Sequence, residues 1–157
     1  MQTIRHTSWI NTIDWVVNVK IEFRWDKPKP LIAREKTGGS KGRLFLANKA
    51  KKFMDPYVPA DNLVLAQNTE VYVEDNIGVV EYASPYAHYQ WQGELYVSSV
   101  TGSPWAREGE YKVPASPPRD LQHSNFRHPL ATSHWEEAMK VARGKDLAKA
   151  VENYLKG

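Results

Sequence analysis

Between residues 17 and 25, "VNVKIEFRW", apolar and polar side chains alternate without a break. Val17, Val19, Ile21, Phe23 and Trp25 fall to one side, and Asn18, Lys20, Glu22 and Arg24 to the other. A period of two is the pattern of a strand with one buried and one wet face. "DKPKP" ends it, because Pro28 and Pro30 cannot donate to a ladder. From Leu31 to Lys41 the chain reads as a loop with Gly38, Gly39 and Ser40 at its tip. The period then becomes helical from about Gly42 to Met54. Leu46, Ala47, Ala50, Phe53 and Met54 share one stripe, with Arg43, Lys49, Lys51 and Lys52 elsewhere. Asp55 before Pro56 is a natural stop. "VYVEDNIGVVEY" predicts a hairpin in which Val71 to Val73 and Val79 to Tyr82 are the arms and "EDNIG" supplies the turn.

Ser98 to Pro129 sustains neither period. It is rich in Pro, Ser, Gly and charge, and a loop of that length inside a domain is expected to be functional, disordered or ordered by a partner. Helical spacing returns at the end. Ser133 followed by Glu136 has the form of a capping box, and Trp135, Ala138, Met139 and Ala142 form a stripe. At Gly144 that stripe loses phase, and Leu147, Ala150, Val151, Tyr154 and Leu155 form a second one. A break or kink is therefore expected at Gly144. The sum is an α+β fold. Its antiparallel sheet comes from the 17 to 25 strand and the 71 to 82 hairpin, with 94 to 100 as a further candidate strand, and the helix after the first strand and the C-terminal helices pack on it.

Length and composition narrow the class. The 157 residues suit a single domain, residues 1 to 157, with long irregular loops at about 27 to 41 and 98 to 130. With 41% hydrophobic and 25% charged residues, six Trp and eight Tyr, the chain has the means to build a core. It has no cysteine, which removes disulfides and thiolate chemistry. "MQTIRHTSWIN" lacks the apolar run of a signal peptide, and no window approaches the roughly 18 apolar residues of a membrane span. No membrane association and a cytoplasmic product are the expectations. A formal charge of +3 permits contact with nucleic acid without arguing for it.

The search for reaction chemistry yields little. His6, His88, His123, His128 and His134 form no helical i, i+4 pair of the kind a metal site uses. His123 and His128, in "HSNFRH", are the nearest two, and loop residues are the plain reading of both. "TGGSKGR" lacks the spacing and preceding strand of a phosphate-binding loop. Glu136 and Glu137 are adjacent, hence about 100° apart on a helix and not a facing pair. Ser133 and His134 are neighbours in sequence and no nucleophile elbow is present. The expectation is therefore no enzyme, no catalytic residue, no cofactor and no metal. A small hydrolase or metal enzyme centred on His123 and His128 is the weaker rival.

Partner contacts are better represented. The basic residues of the 36 to 52 region, Lys36, Lys41 and Arg43 above all, could meet an acidic partner. A nucleic-acid-binding module using this helix and loop is the alternative reading. "SPYAHYQWQG", residues 84 to 93, has aromatic rings but no Lys or Arg, unlike a stacking platform for single strands. Pro85 would open a short helical turn in which Tyr86 and Tyr89 share a side. Trp91 is rotated from Tyr86 by about 140° at about 100° per residue. Tyr86 is expected nearer the subunit's own core, and Trp91 nearer a neighbour.

"KKFMDPYVPADNLVL", a hairpin, "YASPYAHYQWQGELYV", a Gly-Ser-Pro loop and "ATSHWEEAMKVARGKDLAKAVENYLKG", in that order, resemble the small minor capsid proteins of the head-to-tail module of tailed bacteriophages of Gram-positive hosts. The likeness covers about Gly42 to Gly157, and its most specific parts are "DPYVP", "SPYAHYQ" and "SHWEEAM". Where that family has a Thr-Gly-x-Leu turn, this chain has Asp61-Asn62-Leu63. "KPKPLIAREKTGGSK" does not match well.

The resemblance implies a structural virion protein, similar to neck or tail-completion proteins, that forms a homo-oligomeric ring between the portal complex and the tail. Its neighbours would be portal or adaptor and tail proteins, with DNA only as cargo passing through. Its place would be the head-tail junction of the virion, after a stay in the host cytoplasm. Trp91, Tyr89, Trp105, Lys36, Lys41 and Arg43 are assigned to the subunit or partner interface. Pro56, Tyr57, Pro59, Pro85, Tyr86 and Trp135 are assigned to structural motifs.

Overall fold

The computed structural model describes residues 2–7, 19–25, 40–60, 64–75, 77–84 and 86–156. Lys36, Pro85, the 27 to 39 stretch and the Asp61-Asn62-Leu63 turn lie outside them. The alternating stretch is strand β2, Val19–Trp25. Before it comes β1, Gln2–Thr7, which has no apolar period to announce it. Helix α1 is Ser40–Met54 and ends in a 3-10 turn, Asp55–Tyr57, where Pro56 sits in the first turn and cannot continue the ladder. A short helix α2, Val64–Gln67, leads into the hairpin β3, Thr69–Glu74, and β4, Ile77–Tyr82. After helix α3, Ala87–Gln92, come β5, Tyr96–Ser98, and β6, Lys112–Pro114, and then the long helix α4, Trp135–Lys156.

The main sheet is antiparallel with the order β1-β2-β4-β3, so the fold is α+β. Strand alternation puts Val19, Ile21, Phe23, Val80 and Tyr82 on one face. Helices α1 and α4 cover that face with Leu46, Ala47, Ala50, Met54, Trp135, Met139, Leu147 and Val151. At Gly78 the sheet and helix approach closely, for a Cβ there would lie 2.7 Å from the Arg43 carbonyl oxygen of α1. A side chain on β4 at that position would push the helix off the sheet.

Several expectations need correction. Residues 96–98 join no edge of the main sheet and pair with 112–114 in a separate two-stranded sheet. The excursion from Ser98 to Pro129 accordingly has regular structure within it, and its backbone is tied down. The Leu95 N–H donates to Arg119, Leu121 to Gly93 and Ser99 to Tyr111. The sequence pattern misses these bonds because they join short segments, each too brief to display a period.

Helix α4 does not break at Gly144. Trp135, Met139, Leu147, Val151 and Leu155 belong to one i+4 series whose missing member is Arg143. That residue is exposed, and it lays its guanidinium over the Phe53 ring, 4.5 Å from its centroid, while its Nε donates to Asp146 at 2.6 Å. The helix continues through this exposed turn, and buried residues resume at Leu147 and Val151. The capping box is absent as well. Within the first turn of α4 the Glu137 and Ala138 amides donate to the carbonyl of His134, which adopts φ 47°, and Glu136 is buried.

Candidate interaction surface

Helix α3 decides the orientation of the aromatic stretch. Its inward residue is Ala87, fully buried, and Trp91 follows it by one turn on the same side. Tyr86 precedes the first turn and points outward, 62% exposed. The expectation for these two rings is therefore reversed: Trp91 faces its own subunit and Tyr86 the solvent. Angles measured from the large residue misled, since the small one is what allows the helix close to the core.

Trp91 is held on two sides. Its Nε1 donates to Glu136 Oε2 at 2.8 Å, and its ring meets the His134 imidazole edge-on at 4.2 Å between centroids. The His134 N–H donates to the Trp91 carbonyl at 3.0 Å, which ties the end of α3 to the start of α4. Gly93 closes α3 with φ 77°, and any Cβ there would fall 2.6 Å from Ser133. Tyr89 rests edge-on against Tyr96, 4.6 Å between centroids.

Burial pushes the Glu136 carboxyl above its ordinary value of 4.5, and the Trp91 N–H offsets only part of that. A carboxyl whose folded pKa is raised binds its proton more tightly in the fold. Its contribution favours folding below pH 4.5 and is lost as pH climbs through the raised value. Glu136→Gln keeps an oxygen for the indole N–H and removes the buried charge. It is expected to raise the melting temperature at neutral pH, with the gain fading as pH falls towards 4.5 in thermal melts across that range.

The "DPYVP" joint docks the segment that precedes α4. Val58 and Pro59 are buried, Tyr57 is half-buried against the core and Pro56 is exposed. The Thr132 N–H donates to the Tyr57 carbonyl at 3.0 Å and His128 Nδ1 to the Val58 carbonyl at 2.7 Å. His123 Nδ1 lies 2.9 Å from Gln90 Oε1, and burial lowers its pKa. The two histidines are thus bound to different parts of the chain. Among the described residues no cluster of His, Asp and Glu gathers where a metal ion could sit, and no helix is long and apolar enough to cross a membrane.

Tyr86 and Phe126 are exposed elsewhere, and a group of outward apolar side chains lies on the excursion between β5 and β6. Ser98, 2% exposed, is its anchor. The hydroxyl donates to Glu110 Oε2 at 2.5 Å and accepts the N–H groups of Val100 and Thr101, each at 3.1 Å. The Ser98 N–H donates to Ser103 at 2.7 Å, and its carbonyl accepts from Gly102 at 2.9 Å. Glu110 also takes the Arg107 N–H at 3.1 Å. This buried polar node fixes the backbone of a tip that displays Val100 at 75%, Trp105 at 84% and Tyr111 at 62% exposure. Trp105 was placed at the interface by the sequence reading. Val100 and Tyr111 lie in no motif recognisable in the sequence.

Of the cations assigned to the interface, Lys41 is exposed on α1 and Arg43 is half-buried beside the sheet. Trp135 is fully buried. Comparison with family models, curated proteins and solved structures found no match to this chain.

Proposed function

We propose that the chain is a non-enzymatic structural subunit of a tailed-bacteriophage virion, a head-to-tail connector that forms a ring between portal complex and tail. The reading combines the resemblance carried by "DPYVP", "SPYAHYQ" and "SHWEEAM" with one structural observation: the Val100, Trp105 and Tyr111 side chains stand out on a tip whose backbone is pinned by Ser98 and Glu110. Apolar rings held outward on a fixed frame suit a partner surface, since ordering them in advance lowers what association must expend on entropy. A large exposed indole is the type of residue on which interface energy concentrates.

The test is complementation of a phage that lacks this gene. Trp105→Ala should leave the folded domain within about 0.5 kcal/mol of the parent, as surface substitutions do. It should lower the yield of joined, infective particles by on the order of tenfold or more, the loss expected for an interface anchor. Heads and tails should accumulate unjoined. Complementation equal to the parent would remove the tip from the interface.

A further inference from the structure

Charge is segregated along this chain. Residues 40–54, which form α1, hold Lys41, Arg43, Lys49, Lys51 and Lys52 and no acid. Residues 69–82, the β3–β4 hairpin, hold Glu70, Glu74, Asp75 and Glu81 and no cation. The fold directs the two sets opposite ways. Helix α1 covers the sheet face that bears Val80 and Tyr82, and Val71 of β3 packs there too. Alternation therefore sends Glu70, Tyr72 and Glu74 to the far face. Lys20 lies on that far face, its Nζ 5.8 Å from the Tyr72 ring centroid and 3.9 Å from Glu81. The exposed line of α1, Lys41, Leu44, Asn48 and Lys52, points away from the sheet altogether. One molecule cannot bring these two surfaces together, whereas two molecules can.

Their dimensions agree. Glu70 and Glu74 stand about 13 Å apart along an edge strand at about 3.3 Å per residue. Lys41 and Lys52 stand about 16 Å apart at about 1.5 Å per residue, and their angular offset is only about 20°. Lysine side chains are flexible enough to take up that difference. Between its charges each line has an apolar element: Tyr72, whose hydroxyl is already occupied by Glu81 at 2.6 Å, and Leu44, 37% exposed. β3 ends the order β1-β2-β4-β3 and so presents an outer edge among the described strands.

We infer that the Glu70-Tyr72-Glu74 line of one copy docks on the Lys41-Leu44-Lys52 line of the next. The choice of a second copy as the occupant rests on the subunit reading and on this match of charge and spacing. Because the two surfaces differ, the contact is head-to-tail, the kind that closes into a ring when its rotation permits. A contact between exposed charges also weakens as salt rises.

The experiment uses the full chain and two double variants, Glu70→Lys with Glu74→Lys, and Lys41→Glu with Lys52→Glu. All four positions are exposed, and circular dichroism confirms that each variant is folded before it is compared. Sedimentation at low salt should find the parent self-associated and each variant alone weaker by on the order of tenfold or more. An equimolar mixture of the variants should regain association, since each supplies the surface the other can bind. A parent that stays monomeric, single variants that associate like the parent, or a mixture that stays dissociated would each overturn the inference. The paired charge reversals isolate this contact in purified chains, whereas the neck reading is decided in the particle, so either can fail without the other.

Discussion

Trp135→Ala should unfold much of what holds the molecule together, at a cost of about 4 kcal/mol, near the upper range for loss of a buried aromatic ring. Trp135 is wholly buried where the first turn of α4 meets the sheet, with its ring edge-on to Tyr82 at 5.1 Å. It stands at the head of the series that continues through Met139, Leu147 and Val151. A domain of ordinary stability has about 5 to 15 kcal/mol in total, so the variant would be near its limit at physiological temperature. Urea unfolding of parent and variant, compared through midpoint and slope, measures the effect. A loss below about 1 kcal/mol would mean that the site collapses around the missing ring or that the ring is not a core element.

The second large effect belongs to Trp91. Trp91→Ala removes a ring packed against the core and also leaves the buried Glu136 carboxylate without the indole N–H. The two losses together are expected to cost about 3 kcal/mol. Trp91→Phe separates them: it retains most of the packing and removes the indole donor to Glu136, at about 1 to 2 kcal/mol. Tyr86→Ala, one helical turn earlier and outward, should change stability by less than about 0.5 kcal/mol. Melting curves of the three variants rank them. If Tyr86→Ala costs more than Trp91→Ala, the orientation of α3 is wrong.

The parts of this fold legible in the sequence are those where one period runs long enough to be seen. Val19, Ile21 and Phe23 announce β2, and Leu46, Ala47, Ala50 and Met54 announce α1 with its stop at Asp55. Long-range pairing leaves no such trace. β1 offers "QTIRHT", with a single aliphatic residue, and it is placed by hydrogen bonds to β2. β5 and β6 are too short to carry a period and are joined across the Trp105 tip.

Two errors share a cause. At Gly144 and at Tyr86, residue type and burial part company. The helix runs through Gly144 with Arg143 exposed over the Phe53 ring, and Tyr86 lies outward while Ala87 sets the packing face. At the proposed interface, Trp105 could be singled out from the chain. The Ser98 and Glu110 node that holds it outward needs residues twelve positions apart to meet, which no local pattern records.

The proposal that this chain is a neck subunit is tested most directly by electron cryomicroscopy of the intact virion. The account predicts density for this fold in a ring between portal and tail, with the Trp105 tip buried against a neighbouring protein. A particle in which this chain is absent, or sits in the head shell or along the tail, would contradict it.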